Sequence, residues 1–208
     1  PAVMFERVAE IAASVGVPVS ADLEAGYGDT PEEVGRTVAL AAELGVVGGN
    51  IEDAAAGALF PVEEAAERLA AARAAAPAGS FVLNARTDAY FIGATEDPFA
   101  ETVERAHRYV EAGADCVFVP GVKDEDTIRR LVAEIPAPLN VVAGLVAPVI
   151  PAPMLFSLGV TRVSVGGSLA RAALSAVEHA GRELLETGTL GFLDGTLGYG
   201  DVQRRFGA

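Results

Sequence analysis

Cysteine is nearly missing from this sequence: Cys116 is the only one in 208 residues. That excludes an intrachain disulfide and a zinc site built on several thiolates. The two histidines, His107 and His179, both fall in helix-like stretches, which argues against a multi-histidine metal centre. Lysine is equally scarce, with Lys123 alone beside fourteen arginines. Acidic residues number 29 against 15 cations, for a net charge of -14. A nucleic-acid binder needs a basic face to neutralise phosphates, and this balance speaks against one. No apolar run approaches the ~18 residues that would cross a bilayer, so no membrane partner is expected. The opening residues, Pro1 to Glu10, mix charges with apolar side chains. They read as no signal peptide, and the cytoplasm is the expected compartment.

What is present is a folding chain, 51% apolar and 21% charged. It is read as one domain over 1–208, with no linker, low-complexity stretch or composition break. Short β-branched runs recur about every thirty residues: Val17–Ala21, Val46–Ile51, Phe81–Ala85, Cys116–Val119, Leu139–Ala143 and Arg162–Val165. They are apolar almost throughout, as parallel strands buried on both faces are. Helical patterns lie between them. Val34, Val38 and Ala41 form one stripe, and Phe99, Val103, Ala106 and Val110 another. Thr30-Pro31-Glu32-Glu33 is a capping box, and Asp97-Pro98 a similar start signal. Strands alternating with helices predict an α/β fold.

A dinucleotide-binding open sheet wants a glycine-rich turn after its first strand. Gly26-Tyr27-Gly28 is there, but a third glycine at the fingerprint spacing is not. A (β/α)8 TIM-type barrel instead gathers functional residues at the C-terminal ends of its strands. That is the pattern here: Asp22-Leu23-Glu24, Glu52-Asp53, Asn84-Ala85-Arg86-Thr87-Asp88, Pro120-Gly121 and Gly166-Gly167-Ser168. The barrel is the expected fold. With six strand runs and an opening helix over Ala2–Val15, about two N-terminal strands of the eight are lacking in this chain.

Asp22 and Glu24, two apart on an extended segment, are expected to point the same way. With Glu52 from the next strand they would bring three carboxylates to one mouth. Such a cluster calls for a cation, and hard oxygen donors favour Mg²⁺ or Mn²⁺ with water filling the remaining positions. Arg86 ends a run that should be buried, so it needs an anionic partner. Asp88 or a cluster carboxylate would serve; so would a substrate carboxylate or phosphonate held by the bidentate fork. Gly166-Gly167-Ser168 could present backbone N–H groups to an anion but reads rather as a tight strand-to-helix turn, His107 as a packing or surface residue, and Cys116 as a small buried hydrophobe.

At these residues the chain resembles the isocitrate lyase and phosphoenolpyruvate mutase superfamily. Pro18-Val19-Ser20-Ala21-Asp22-Leu23-Glu24-Ala25-Gly26-Tyr27-Gly28 carries the resemblance, followed at the right spacing by Gly49-Asn50-Ile51-Glu52-Asp53 and Asn84-Ala85-Arg86-Thr87-Asp88. Gly159 to Gly167 extends it, over nearly the whole chain. The resemblance implies a (β/α)8 barrel, a dimer or tetramer, and exchange of the last helix between subunits, here the segment 167–208. It implies Mg²⁺ and a small 2-oxo or 2-hydroxy acid whose C–C or P–C bond is made or broken next to an enolate. By position Asp22 matches the direct metal ligand, Glu24 and Glu52 the carboxylates that hold its water, and Arg86 the arginine that binds a substrate carboxylate. Arg86 and Glu52 are the candidate catalytic residues.

One departure from the family is informative. Lyases carry a mobile Lys-Cys-Gly-His-type loop after the second strand seen here, whereas this chain reads Ala54-Ala55-Ala56-Gly57-Ala58-Leu59-Phe60. Cysteine-dependent cleavage of isocitrate is therefore not expected. Carbon–carbon cleavage of another oxo acid is the preferred reading, and phosphonopyruvate hydrolase or mutase chemistry the alternative. A metal- and oxo-acid-binding relative without turnover is the non-catalytic alternative. A Schiff-base aldolase would need a lysine at a strand end, and Lys123 lies past one, in a loop.

Overall fold

Six of the apolar runs become the strands of one parallel, curled sheet in order along the chain. The computed structural model of the protein describes residues 2–76, 78–93, 95–145 and 147–206. The sheet strands are β1 (Ser20–Asp22), β2 (Gly48–Glu52), β5 (Val82–Arg86), β6 (Cys116–Phe118), β7 (Leu139–Val142) and β8 (Arg162–Ser164). Two further strands, β3 (Ala54–Ala55) and β4 (Ala58–Leu59), pair with each other as a small antiparallel hairpin. Each sheet strand is parallel to the next, the arrangement of a partial (β/α)8 barrel. Among the described residues β1 and β8 are the two edges of the sheet.

Register sets which side chains share a level. Asp22 stands opposite Asn50, Asn50 opposite Asn84, and Asn84 opposite Cys116. Glu52 stands opposite Arg86, and Arg86 opposite Phe118. β1 begins at Ser20, later than the run from Val17 predicts. Pro18 has no N–H to donate to a ladder, and Val17 is exposed.

The helices follow their start signals. α1 (Ala2–Ser14) opens the chain. In α2 (Pro31–Glu43) the capping box forms, with Thr30 accepting from Glu33 N and the Glu33 carboxylate accepting from Thr30 N at 3.1 Å. Val34, Val38 and Ala41 are fully buried, as their spacing predicts. α3 (Val62–Ala75) packs on α2, with Gly35 against the Ala71 carbonyl, and buries Ala65, Leu69 and Ala72. α4 (Ala89–Ile92) follows β5 directly. Asp97 caps α5 (Pro98–Glu111) by accepting from Phe99 N and Ala100 N. Its buried residues are Thr102, Arg105, Ala106 and Tyr109, so the most enclosed face of α5 is polar and aromatic. Phe99, Val103 and Val110 are partly buried and pack on the same apolar cluster as Ala106. α6 (Glu125–Glu134) and α7 (Ala152–Ser157) complete a second apolar cluster with β6 and β7.

Residues 1–165 form one compact unit and residues 166–208 another. The second holds α8 (Ser168–Glu186), a 3₁₀ turn over Gly191–Leu193 and α9 (Tyr199–Arg205). α8 buries none of its residues. The Glu183 carboxylate organises the turn after α8, accepting from the Thr189 hydroxyl and Gly191 N, each at 2.6 Å, and from Phe192 N at 3.0 Å. Gly167 is the N-cap of α8, and its carbonyl accepts from Arg171 N.

Candidate active site

The carboxylates stand where β1 and β2 end. Asp22 closes β1, and its Oδ1 accepts from Asn50 Nδ2 at 2.8 Å and from Glu24 N at 3.1 Å. Its Oδ2 takes no hydrogen bond among the described residues. Glu24 does not continue the strand: its φ is 51°, and the chain turns there, with Gly26 N donating to Leu23 O at 2.8 Å. The expectation that Asp22 and Glu24 share an extended segment is thus corrected. The β1–α2 loop needs this turn because Gly26, at φ 94°, lies against Val34, and a Cβ there would sit 2.7 Å from its methyl groups. Glu24 stays tied to its neighbour through its carbonyl, which accepts from Glu52 N at 2.9 Å.

Arg68 of α3 holds the same loop from beneath. Its guanidinium is 3% exposed and donates to the carbonyls of Ala25, Gly28 and Asp29. It also stacks 4.6 Å from the centre of the Phe60 ring. A cavity of about 350 Å³ opens between this loop and the hairpin, bordered by Glu24, Tyr27, Ala55 and Phe60.

Arg86 ends β5 between two carboxylates. Its Nε and Nη2 donate to Asp88 at 2.8 and 3.0 Å, a bidentate pair. Its Nη1 lies 2.7 Å from Glu52 Oε2. Both anionic partners expected within the protein are therefore present, and the guanidinium also lies 5.6 Å from the centre of the Phe118 ring. Burial works against the Arg86 charge, but the Asp88 bonds and the charges of Asp88, Glu52 and Asp22 outweigh it and raise its pKa. Burial pushes the Glu52 carboxyl up to about 7; Arg86 opposes that, while Asp88, Glu24 and Asp22 add to it. Burial raises the Tyr27 phenol as well, followed by the charges of Glu24, Asp22 and Glu52. The three carboxylates thus lie within one another's electrostatic reach.

They do not form a ready-made cage. Among the described residues no three carboxylate, histidine or cysteine side chains stand together as a chelating group. The donor set nevertheless fits a hard cation that keeps most of its water: oxygen donors only, one carboxylate with a bare oxygen, and two more nearby. The other expected non-participants lie elsewhere. Lys123 is exposed in the loop before α6. The Cys116 thiol is buried, and its charged neighbours are Arg162 and Asp115. His107 Nε2 lies 3.0 Å from the carbonyl of Glu134, a packing role.

Asp88, the partner expected for Arg86, takes both arms of its fork. Other residues at the site were not given a role by the sequence. Asn50 saturates one oxygen of Asp22. Asp53, Arg105 and Tyr109 form a buried cluster behind Arg86, in which Asp53 Oδ2 accepts from the Tyr109 hydroxyl at 2.6 Å and from Arg105 Nη1 at 3.2 Å.

Residues 1–185 match the phosphoenolpyruvate phosphomutase family, and the chain belongs to it, within the superfamily that also holds the isocitrate lyases. An uncharacterised protein of Mycobacterium tuberculosis is 40% identical over 164 residues, covering 79% of this chain and 60% of that protein. A 2-methylisocitrate lyase of Salmonella typhimurium is 30% identical over 184 residues, covering 83% and 61%. The chain therefore spans about 60% of the length of the curated relatives it matches. Among solved structures, a lyase/mutase-type protein of Burkholderia cenocepacia superposes with a TM-score of 0.93 at 42% identity, covering 99% of this chain and 75% of that one. A phosphonopyruvate hydrolase in complex with oxalate and Mg²⁺ gives 0.82 at 26% identity, covering 98% and 73%. Lyases and P–C bond hydrolases thus both stand among its kin.

Proposed function

We propose that the chain carries the active site of a Mg²⁺- or Mn²⁺-dependent lyase acting on a small 2-oxo or 2-hydroxy carboxylic acid. The observation that carries this reading is the Glu52–Arg86–Asp88 ion cluster beside Asp22 and Glu24, in a chain whose relatives include a 2-methylisocitrate lyase. Asp22 would hold the ion directly, and Glu24 and Glu52 through water. Bound there, the ion supplies Lewis-acid stabilisation for the negative charge of an enolate. Arg86 receives the anionic end of the substrate, exchanging part of its contact with Glu52 or Asp88 for the substrate carboxylate. Glu52, 2.7 Å from Arg86 and beside the proposed ion, is the side chain placed to hold or move a proton through ion-bound water. The hairpin Ala54–Leu59 has no titratable side chain to deliver one.

The exposed stripe of α8, with Leu174 and Val177 69% and 70% exposed, supports a homo-oligomer built through that helix. The compartment we infer is the cytoplasm, from the opening residues that read as no signal peptide; no helix among the described residues is long and apolar enough to cross a membrane.

The test is metal affinity and product together. Asp22→Ala is expected to weaken Mn²⁺ binding at least tenfold, by order of magnitude, in titration calorimetry. With Mg²⁺, the protein is expected to release a 2-oxo acid from a panel of 2-hydroxy dicarboxylates. Unchanged affinity in Asp22→Ala overturns the ligand assignment. Phosphate release from phosphonopyruvate instead redirects the chemistry to P–C cleavage, and binding without any product identifies a non-catalytic relative.

A further inference from the structure

Behind Arg86 lies a buried ion cluster that the proposed chemistry does not use. Asp53 is the residue after Glu52, and its side chain is directed away from the carboxylate mouth, toward α5. It is 3% exposed, Arg105 5% and Tyr109 fully buried. Every polar atom of Asp53 is engaged. Its Oδ1 accepts from Asp88 N at 2.8 Å. Its Oδ2 accepts from the Tyr109 hydroxyl at 2.6 Å and from Arg105 Nη1 at 3.2 Å. Its N–H donates to Arg86 O at 3.1 Å, and its carbonyl accepts from Phe60 N at 2.8 Å.

Arg105 completes the junction. Its Nη2 donates to Phe60 O at 3.0 Å and its Nε to Glu101 at 2.6 Å. Asp53 and Arg105 therefore hold both the N–H and the carbonyl of Phe60, the residue at which the hairpin of β3 and β4 rejoins the chain. Through Asp88 the same junction reaches the guanidinium of Arg86. Three separate segments meet on the Asp53–Arg105 pair: the stretch after β5 and α5 on the Asp53 carboxylate, and the foot of the hairpin on the Asp53 carbonyl and the Arg105 guanidinium.

A buried Asp–Arg pair is a poor way to gain stability, because the desolvation of both charges offsets most of their attraction. Its best-attested return is a fixed geometry, as in fully satisfied buried polar networks. We propose that Asp53, itself aimed by Tyr109 and Arg105, is the positioning residue that holds Arg86 in one orientation and locks the Ala54–Leu59 hairpin to it as a fixed wall. The proposal rests on the reading of Arg86 as the substrate-anion site only for its effect on binding. Its effect on Arg86 itself is independent of that reading.

The experiment uses the whole chain with ¹⁵N-labelled arginine. The Arg86 Nε–H resonance is identified by its loss in Arg86→Lys. Tyr109→Phe removes one hydroxyl and keeps the ring; Asp53→Asn removes the charge and keeps an acceptor for Asp88 N. Both are expected to shift or broaden the Arg86 signal. Both are also expected to weaken oxalate binding, measured in the presence of Mg²⁺, on the order of tenfold, the equivalent of one charge-assisted hydrogen bond. Mn²⁺ affinity is expected to stay within about twofold, since no ligand of the Asp22 group is touched. Should Asp53→Asn fail to fold, Tyr109→Phe carries the comparison. A lower melting temperature with an unmoved Arg86 signal and unmoved oxalate affinity overturns the proposal and leaves the cluster a structural one. If Arg86→Lys binds oxalate as tightly as the parent, the substrate-anchor reading has failed instead, and the resonance alone decides the positioning role.

Discussion

Cys116 shows how burial decides the chemistry of a residue that composition makes conspicuous. Burial is the main cause that pushes its thiol up to about 11, and Arg162 only partly offsets it. At pH 8 almost none of it is thiolate, the form that attacks alkylating reagents. Iodoacetamide at that pH is expected to modify the native protein at least a hundredfold more slowly, by order of magnitude, than the urea-unfolded chain. Mass spectrometry of timed samples reads the ratio; equal rates would show an accessible thiol. The residues at the mouth were legible because Asp22, Glu24, Glu52 and Arg86 all interrupt apolar runs at the same end of their strands. Arg105 and Tyr109 were not. In a helix rich in charge they look like solvent-facing positions; their burial rests on distant partners, above all Asp53, fifty-two residues upstream of Arg105, and the Phe60 carbonyl, together with Glu101 one turn away. Asp53 itself was visible beside Glu52, and alternation along an extended segment turns the two to opposite sides; what the sequence does not show is that Arg105 and Tyr109 meet Asp53 on its side.

The six sheet strands and the capped helices were legible because periodicity, start signals and length agree at each of them. The hairpin was not, since Ala54 to Leu59 is alanine-rich and carries no turn dipeptide of the usual kind. Its two central residues, Ala56 and Gly57, have φ of 50° and 80°. Positive φ at both positions is the requirement of a type I′ turn, which asparagine-glycine meets best. An alanine there holds a left-handed conformation that costs an L-residue roughly 1–2 kcal/mol. Ala56 is exposed and makes room for a larger side chain. Ala56→Asn is therefore expected to stabilise the protein by about 0.5–1 kcal/mol. Urea denaturation with an unchanged slope would show it; a loss of stability would mean that the turn is of another kind. The buried polar residues of α5 are the other departure at this scale. The apolar stripe through Phe99, Val103, Ala106 and Val110 packs on the second apolar cluster with Ala106 fully buried, and Thr102, Arg105 and Tyr109 are buried as well.

At the scale of the whole molecule, a net charge of -14 keeps copies apart, while α8 offers an apolar stripe through Leu174, Val177 and Leu184 that nothing in its own unit buries. Association through that stripe is expected to strengthen with salt, which screens the repulsion and leaves the apolar contact. Leu174→Glu together with Val177→Glu is expected to reduce the mass seen by sedimentation velocity to that of a single chain. An unaltered mass would place the contact elsewhere. The sheet carries its own consequence. Asp22 lies on β1, an edge strand, so the backbone groups on the outer side of that strand are available to any extended segment that docks there. A visitor on that edge would settle beside the carboxylate that is bare at Oδ2. On the proposed reading of Asp22 as an ion ligand, ion affinity is expected to respond to occupation of that edge, and a titration repeated at several protein concentrations checks for it.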